Sequence, residues 1–160
     1  DVYKRQSHNR MKTYLFSFAI TAATIFGSNS LMAQTHCDSL HNIVKGLLSE
    51  NNYDNSIYIT DGQLYKSFLS ESEISEVSTT LFEGTTYRIA TSAGNEENFM
   101  LFELYDQDRN LLFSNSDYSN SPYWDFKVEN TIDCTIESRL DLNKKLEGCA
   151  LMMIAFKKGK

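Results

Sequence analysis

The fold class is decided by two neighbouring stretches, Tyr123-Trp124-Asp125-Phe126-Lys127-Val128-Glu129 and Ile132-Asp133-Cys134-Thr135-Ile136-Glu137. Apolar and polar residues alternate along both of them. Successive side chains of a strand point to opposite faces of a sheet, so a period of two is typical of a strand that is buried on one face only. Both stretches therefore predict half-buried β-strands.

The same period extends along the chain in both directions. The strand candidates are residues 57–60, 64–69, 76–82, 85–92, 98–105, 110–114, 123–129, 131–140 and 149–157. Turn signals such as Asp61-Gly62 and Glu83-Gly84 separate them at hairpin-length intervals, without crossover helices. Residues 99–105 and 149–156 are apolar on both faces, as central strands are. We therefore predict an all-β fold, an antiparallel β-sandwich.

One short amphipathic helix is predicted before the strands. Four apolar residues recur at the spacing of one helix face, and Asp38 is a candidate N-cap. The four residues are Leu40, Ile43, Val44 and Leu47. We predict a helix over residues 38–49 and a polar linker over residues 50–56. Residues 34–56 are thus helix and linker, and residues 57–160 form the sandwich domain.

The segment before the helix has the pattern of a secretory signal peptide. Lys12 follows Met11, an apolar run covers residues 14–26, and Ala33 is a small residue of the kind that precedes a cleavage site. The run is shorter than the roughly 20 apolar residues that a transmembrane helix needs. We expect a signal peptide at residues 11–33, export to the periplasm or the extracellular space, and no transmembrane segment in the mature chain.

Residues 1–10 are interpreted as read-through sequence. Residues 1–6 match the translation of a common sequencing adapter, and residues 7–10 then represent upstream sequence translated in frame. We expect the protein proper to begin at Met11.

The mature part is strongly acidic. Without residues 1–33 the chain holds 11 Lys and Arg against 20 Asp and Glu. Such a surface repels the phosphates of nucleic acids and of anionic lipids. We therefore expect no nucleic-acid partner.

Three cysteines, Cys37, Cys134 and Cys149, are present, and in an exported protein they can oxidise. The odd number leaves at least one free thiol. Residues 131–140 and 149–157 are predicted to form a terminal hairpin, so a Cys134–Cys149 disulfide, closing a loop of about fifteen residues, is the preferred pairing. The alternatives are a bridge from Cys37 to one of the two, or three reduced cysteines.

Several motifs resemble a known family. They are Asp61-Gly62-Gln63, Leu81-Phe82-Glu83-Gly84-Thr85-Thr86-Tyr87-Arg88-Ile89, Phe102-Glu103-Leu104-Tyr105-Asp106 and Gly148-Cys149 before a closing apolar strand. Over roughly residues 57–157 the chain resembles the bacterial pre-peptidase C-terminal domain, and it is also similar to small secreted bacterial proteins. The resemblance implies a jelly-roll-like sandwich and an accessory role in secretion or substrate contact.

One loop has the residue types of a metal site. Asp106, Asp108 and Asn110 place oxygen-bearing side chains at alternate positions, as the start of a calcium loop does. Leu111 stands where such a loop needs glycine, and Arg109 adds a positive charge within it. A polar hairpin turn is the preferred interpretation and no cofactor is expected, with calcium as the alternative.

Aromatic residues flank the segment Ser119-Asn120-Ser121-Pro122. Tyr118 and Tyr123 are candidate ligand contacts, since exposed aromatic rings stack on sugars. Trp124 alternates with Phe126, which favours a place in the core.

No constellation in the sequence indicates catalysis. The mature part holds two histidines, His36 and His41, and it has no Gly-x-Ser-x-Gly elbow. We predict a non-catalytic binding or interaction module, with a glycan or a cell-envelope component as the expected partner. The alternatives are a secreted hydrolase that uses carboxylates and a structural envelope protein.

Overall fold

Every stretch with a period of two forms a strand, with ends within two residues of the prediction. The computed structural model describes residues 30–50, 57–94 and 99–157, with side chains from Cys37 onward. The elements are α1 (Ser30–Ser49), β1 (Tyr58–Thr60), β2 (Tyr65–Ser70), β3 (Ser75–Leu81), β4 (Thr86–Ser92), β5 (Met100–Asp106), β6 (Leu111–Ser114), a 3₁₀ helix (Asn115–Tyr118), β7 (Tyr123–Lys127), β8 (Ile132–Leu140) and β9 (Glu147–Lys157).

Some predictions fall outside the described residues. They concern the read-through segment at residues 1–10, residues 11–29 of the predicted signal peptide, and residues 51–56 of the linker. These predictions stand as expectations.

The strands form two antiparallel sheets. Sheet 1 has the order β1–β9–β4–β7, and β2 pairs with the same edge of β9 as β1; sheet 2 has the order β3–β8–β5–β6. Four of the pairings are nested along the chain: β5 with β6, β4 with β7, β3 with β8, and β2 with β9. This nesting is the strand order of a jelly roll. The predicted antiparallel β-sandwich is confirmed.

The main core lies between the two sheets. Its buried members are Val77, Leu81, Ile89, Phe102, Leu104, Val128, Cys134, Ile136, Met152 and Ile154. Trp124 and Phe126 pack against this cluster, while Asp125 and Lys127 are exposed. The alternation along β7 therefore separates buried from exposed side chains as predicted, and the core position of Trp124 is confirmed.

A second core lies between α1 and the outer face of sheet 1. Its buried members are Leu40, Val44, Leu47, Leu48, Ala90, Cys149, Leu151, Met153 and Ala155. Leu40 and Val44 are fully buried, and burial of a side chain of this size contributes about 1.5–3 kcal/mol. β9 is thus buried on both faces, as its apolar sequence predicts. The chain from Thr35 to Lys160 is one compact unit.

The predicted N-cap of the helix is wrong. Helix α1 begins at Ser30, so Asp38 lies inside it, and its carboxylate pairs with Lys66 of β2 at 2.8 Å. No helix within the described ranges is long and apolar enough to cross a membrane.

The predicted terminal hairpin and its disulfide are also wrong. β8 belongs to sheet 2 and β9 to sheet 1, so Cys134 and Cys149 lie on strands that do not pair. Cys149 points away from the sandwich core toward α1, where it forms a disulfide with Cys37 over a Cα–Cα distance of 5.3 Å. Cys134 faces the core as a buried free thiol, and its burial raises the pKa of the thiol to about 11. The observed bridge is one of the alternatives that the sequence left open.

Candidate binding surface

The predicted metal residues form the turn between β5 and β6. One carboxylate oxygen of Asp106 accepts hydrogen bonds from the backbone amides of Asp108, at 2.9 Å, and Asn110, at 2.8 Å. The other oxygen accepts the side-chain amide of Asn110 at 2.8 Å. These bonds hold the pKa of Asp106 below its ordinary value. Arg109 takes a positive φ of 65°, which closes the turn.

The Asp106 carboxylate therefore stabilises the turn itself. Asp and Asn side chains that bond the backbone two residues on are typical of tight turns. Among the residues that the structure describes, no group of three or more His, Cys, Asp or Glu side chains is arranged to hold a metal ion. Calcium at Asp106, Asp108 and Asn110 stays the alternative prediction, beside the expectation of no cofactor.

Tyr118 lies at the seam between the two sheets, beside the edge strands β6 and β7. Its ring stacks on that of Phe113, with the two ring centroids 5.6 Å apart. The ring centroids of Tyr118 and Trp124 are 4.1 Å apart. About half of the residue, 49 %, is exposed. One part of the ring thus anchors the 3₁₀ helix and the rest is open to solvent.

Tyr123 lies on the outer face of sheet 1, where α1 packs. Its ring centroid is 4.4 Å from the guanidinium carbon of Arg88, and the ring of Tyr58 covers Arg88 at 4.3 Å. Because Tyr123 and Trp124 are consecutive in β7, their side chains point to opposite faces. The structure therefore does not bring Tyr118 and Tyr123 together in one contact surface.

Arg88 is the centre of a buried polar anchor that the sequence did not reveal. The side chain is 2 % exposed and makes a two-pronged ion pair with Asp125, at 2.6 and 2.7 Å. Its remaining nitrogen donates to the backbone carbonyls of Leu47 and Glu50 at the end of α1. Arg88 thus satisfies carbonyl groups that every helix C-terminus leaves without a partner.

The outer face of sheet 2 has no helix packed on it among the described elements. We term it the open face. It is formed by the outward side chains of β3, β8 and β5, namely Glu76, Ser78, Thr80, Asp133, Thr135, Glu137, Arg139, Leu101, Glu103 and Tyr105. Hydroxyl and charged groups dominate it.

Three glutamates form a row across the open face. Glu76 lies opposite Glu137, and Glu137 lies opposite Glu103. Like charges at directly opposite positions destabilise a sheet unless counter-charges offset them. Two arginines supply that compensation.

Arg139 pairs with Glu103 through two hydrogen bonds, of 2.6 and 3.0 Å. The hydroxyl of Tyr105 donates to the same carboxylate at 2.9 Å. The pKa of Glu103 lies below its ordinary value because Arg139 donates to it, although partial burial acts in the opposite direction. Glu103 is therefore held as a carboxylate.

Glu137 is only 5 % exposed and accepts a hydrogen bond of 2.5 Å from Arg109. Arg109 comes from the β5–β6 turn, and its guanidinium carbon lies 4.8 Å from the ring centroid of Tyr105. The turn that the sequence singled out for calcium thus contributes an arginine to the open face.

A shallow depression of about 380 Å³ lies at one end of the open face, between β3 and β8. It is lined by four outward residues of the two strands, Ser78, Thr80, Asp133 and Thr135, by Gln107 of the β5–β6 turn, and by Thr79 and Cys134, which alternate with the outward residues along the strands. The carboxylate of Asp133 accepts hydrogen bonds from Thr80, at 2.5 Å, and Gln107, at 2.9 Å. These two bonds fix the carboxylate in place.

None of the residues that line the depression was predicted as a binding site. The outward row of β8 was visible in the sequence as the polar half of an alternating strand. Its partners on β3 and in the β5–β6 turn lie 26 or more positions away along the chain. No local pattern links them.

Comparisons with protein-family models and with curated proteins find no match to this chain. The resemblance to the pre-peptidase C-terminal domain stays a prediction.

Proposed function

We propose that the chain is an exported, non-catalytic binding module that holds a glycan or another cell-envelope component on its open face. The observation that carries the proposal is the asymmetry of the sandwich. The outer face of sheet 1 is covered by α1 and cross-linked to it through Cys37 and Cys149, whereas the outer face of sheet 2 presents an ordered polar surface to solvent.

The order of this surface supports binding. Glu103, Glu137 and Asp133 are each held by side-chain donors before any ligand arrives. A partner that binds to groups already in place does not have to immobilise them, and the entropic cost of association is lower. Charged pairs with this geometry also impose orientation on a partner.

The disulfide supports export. Disulfides form and persist in oxidising compartments such as the periplasm and the extracellular space. The bridge between Cys37 and Cys149 is compatible with either compartment.

The ion pair of Glu103 with Arg139 disfavours Glu103 as the proton donor of a hydrolase. A carboxylate pair that cleaves glycosidic bonds needs one member with a raised pKa, which donates a proton to the leaving group. Glu103 is one of the two carboxylates opposite Glu137, and its pKa is shifted in the other direction because Arg139 donates to it. An ion-paired carboxylate of this kind accepts hydrogen bonds from a ligand.

The test is retention of the full chain on isolated cell envelopes in a sedimentation assay. Ser78→Arg places a bulky cation in the open face, and Thr86→Arg places the same side chain on the outer face of sheet 1 as a matched control. We expect the first variant to weaken retention at least about tenfold, which corresponds to ~1.4 kcal/mol, and the second to leave it unchanged.

Three results would contradict the proposal. The first is an absence of retention for the unmodified chain, and the second is an equal loss of retention in both variants. The third is release of soluble fragments from the envelopes that stops in Glu103→Gln, which would indicate the hydrolase.

A further inference from the structure

We propose that the depression formed by Ser78, Thr80, Gln107, Asp133 and Thr135 is a subsite for an uncharged saccharide. This inference rests on the proposed binding function and names the ligand class and the place where it binds. The volume of the depression, about 380 Å³, falls within the range of small-ligand sites, about 300–1,000 Å³.

The chemistry of the lining matches a ligand rich in hydroxyl groups. Ser78, Thr80 and Thr135 contribute hydroxyls, each of which both donates and accepts hydrogen bonds, and Gln107 contributes an amide with both functions. Asp133 contributes an acceptor. A sugar ring offers the same mixture of donors and acceptors in a small volume.

Two of these hydroxyls are available. Ser78 lies directly opposite Thr135, so their side chains are close neighbours on one face. Neither side chain has a hydrogen-bond partner among the described residues, whereas Thr80 and Gln107 already position Asp133. The depression therefore combines a fixed acceptor with two free hydroxyls.

The charge of the site argues for an uncharged ligand. Asp133 is the ionisable carboxylate that lines the depression, and Glu76 and Glu137 lie one pair further along the same two strands. Arg109, which reaches that row from the β5–β6 turn, is paired with Glu137. The negative potential of the site would repel sulfated or uronic sugars, whereas neutral and N-acetylated sugars carry no charge on which it could act.

The neighbouring strand extends the site. Tyr105 lies opposite Thr135 on β5, so its ring borders the hydroxyl groups. Arg109 covers one side of that ring. A chain of several sugar units that follows the row Ser78–Thr135–Tyr105 would contact hydroxyls first and an aromatic surface next.

The experiment is an amide chemical-shift titration of the full chain with chitotetraose, cellotetraose and maltotetraose, and with a heparin tetrasaccharide as the anionic comparison. We expect at least one neutral tetrasaccharide to shift the amides of the residues that line the depression, and the heparin fragment to shift none of them. The double variant Ser78→Ala/Thr135→Val removes both free hydroxyls with little change in shape. It should weaken binding about tenfold or more, because each hydrogen bond to the ligand is worth about fivefold.

Thr86→Val is the matched control. It makes the same change on the outer face of sheet 1, and it should bind the saccharide as the unmodified chain does. Binding that is equal in the double variant and in the control would overturn the subsite.

Two further outcomes separate this inference from the function on which it rests. Shifts confined to Tyr118 and its neighbours would overturn the depression as the site and leave a glycan-binding module. An absence of shifts with every neutral saccharide, together with envelope retention that Ser78→Arg abolishes, would overturn the saccharide and leave the binding function intact.

Discussion

At the scale of single residues, the open face is held together by charges that compensate one another. Three glutamates in one row would repel one another, and the ion pairs that Arg109 and Arg139 form with two of them offset this repulsion. Among the three glutamates, Glu103 accepts the most side-chain hydrogen bonds, with two from Arg139 and one from Tyr105. This residue therefore links the stability of the fold to pH.

We predict that Glu103 stabilises the folded state at neutral pH and loses that effect in acid. Its pKa in the folded protein is below the ordinary value of 4.5. A carboxylate whose folded pKa is depressed contributes stability that is present above its unfolded pKa and lost as the pH falls through the folded value. The free energy of unfolding of the unmodified chain should therefore exceed that of Glu103→Gln at neutral pH, and the difference should shrink below about pH 4.5.

Urea denaturation of both chains over this range of pH measures the difference. A difference that stays constant from neutral pH into acid would show that Glu103 is not the carboxylate that couples the open face to pH.

At the scale of elements, α1 is fastened to sheet 1 near both ends of its packed length. Cys37 attaches it covalently to β9, and Arg88 of β4 binds the carbonyl groups at its C-terminal end. Between these points the apolar face of the helix covers β9. The helix is consequently part of the core and does not behave as an appended segment.

We predict that Cys37→Ser/Cys149→Ser destabilises the fold and loosens α1 first. The bridge joins residues 112 positions apart, and loop-closure entropy assigns about 3–5 kcal/mol to a cross-link of that length. The free energy of unfolding should fall by this amount in urea denaturation. Hydrogen exchange at Leu40 and Val44 should accelerate more than exchange in β8, since β8 lies in the other sheet.

Reduction of the disulfide in the unmodified chain should lower the free energy of unfolding by the same amount. The same reducing conditions should leave the free energy of unfolding of the double variant unchanged. A double variant as stable as the oxidised chain would mean that the helix is held by packing and by Arg88 alone.

At the scale of the whole molecule, the nested pairings determine how the fold can assemble. The β5–β6 pairing closes a short turn, whereas the β2–β9 pairing joins segments at opposite ends of the domain. Loop-closure entropy grows with the length of chain between the partners, so the outer pairings cost more to form. Sandwiches dominated by such pairings fold slowly, in about milliseconds to seconds.

We predict that the inner strands pair before the outer ones. Leu104 of β5 and Leu69 of β2 are both buried, and replacement of a buried leucine by alanine costs about 2–5 kcal/mol. Leu104→Ala should mainly slow folding, because the β5 contacts form in the transition state. Leu69→Ala should mainly accelerate unfolding.

Stopped-flow folding and unfolding rates of the oxidised chain and of both variants test this order. The reverse assignment, with Leu69→Ala slowing folding, would show that the terminal strands pair first. Because the disulfide also shortens the effective loop between the ends, the same rates measured under reducing conditions serve as the internal comparison.

The positions of the strands and the direction in which their side chains point were determined by the sequence alone. Alternation is a local property of the chain, and for that reason the outward row Asp133, Thr135, Glu137 and Arg139 follows from the spacing of polar residues along β8. The helix period that precedes Glu50 and the double-sided burial of β9 follow from the same local patterns.

Which strands become neighbours was decided only by the tertiary structure. β8 and β9 are consecutive in the chain and lie in different sheets, so Cys149 meets Cys37 and not Cys134. The depression likewise exists only because β3 and the β5–β6 turn are brought beside β8. Pairings of this kind depend on contacts between residues far apart in sequence, where the packing of two whole sheets outweighs the preference of any one segment.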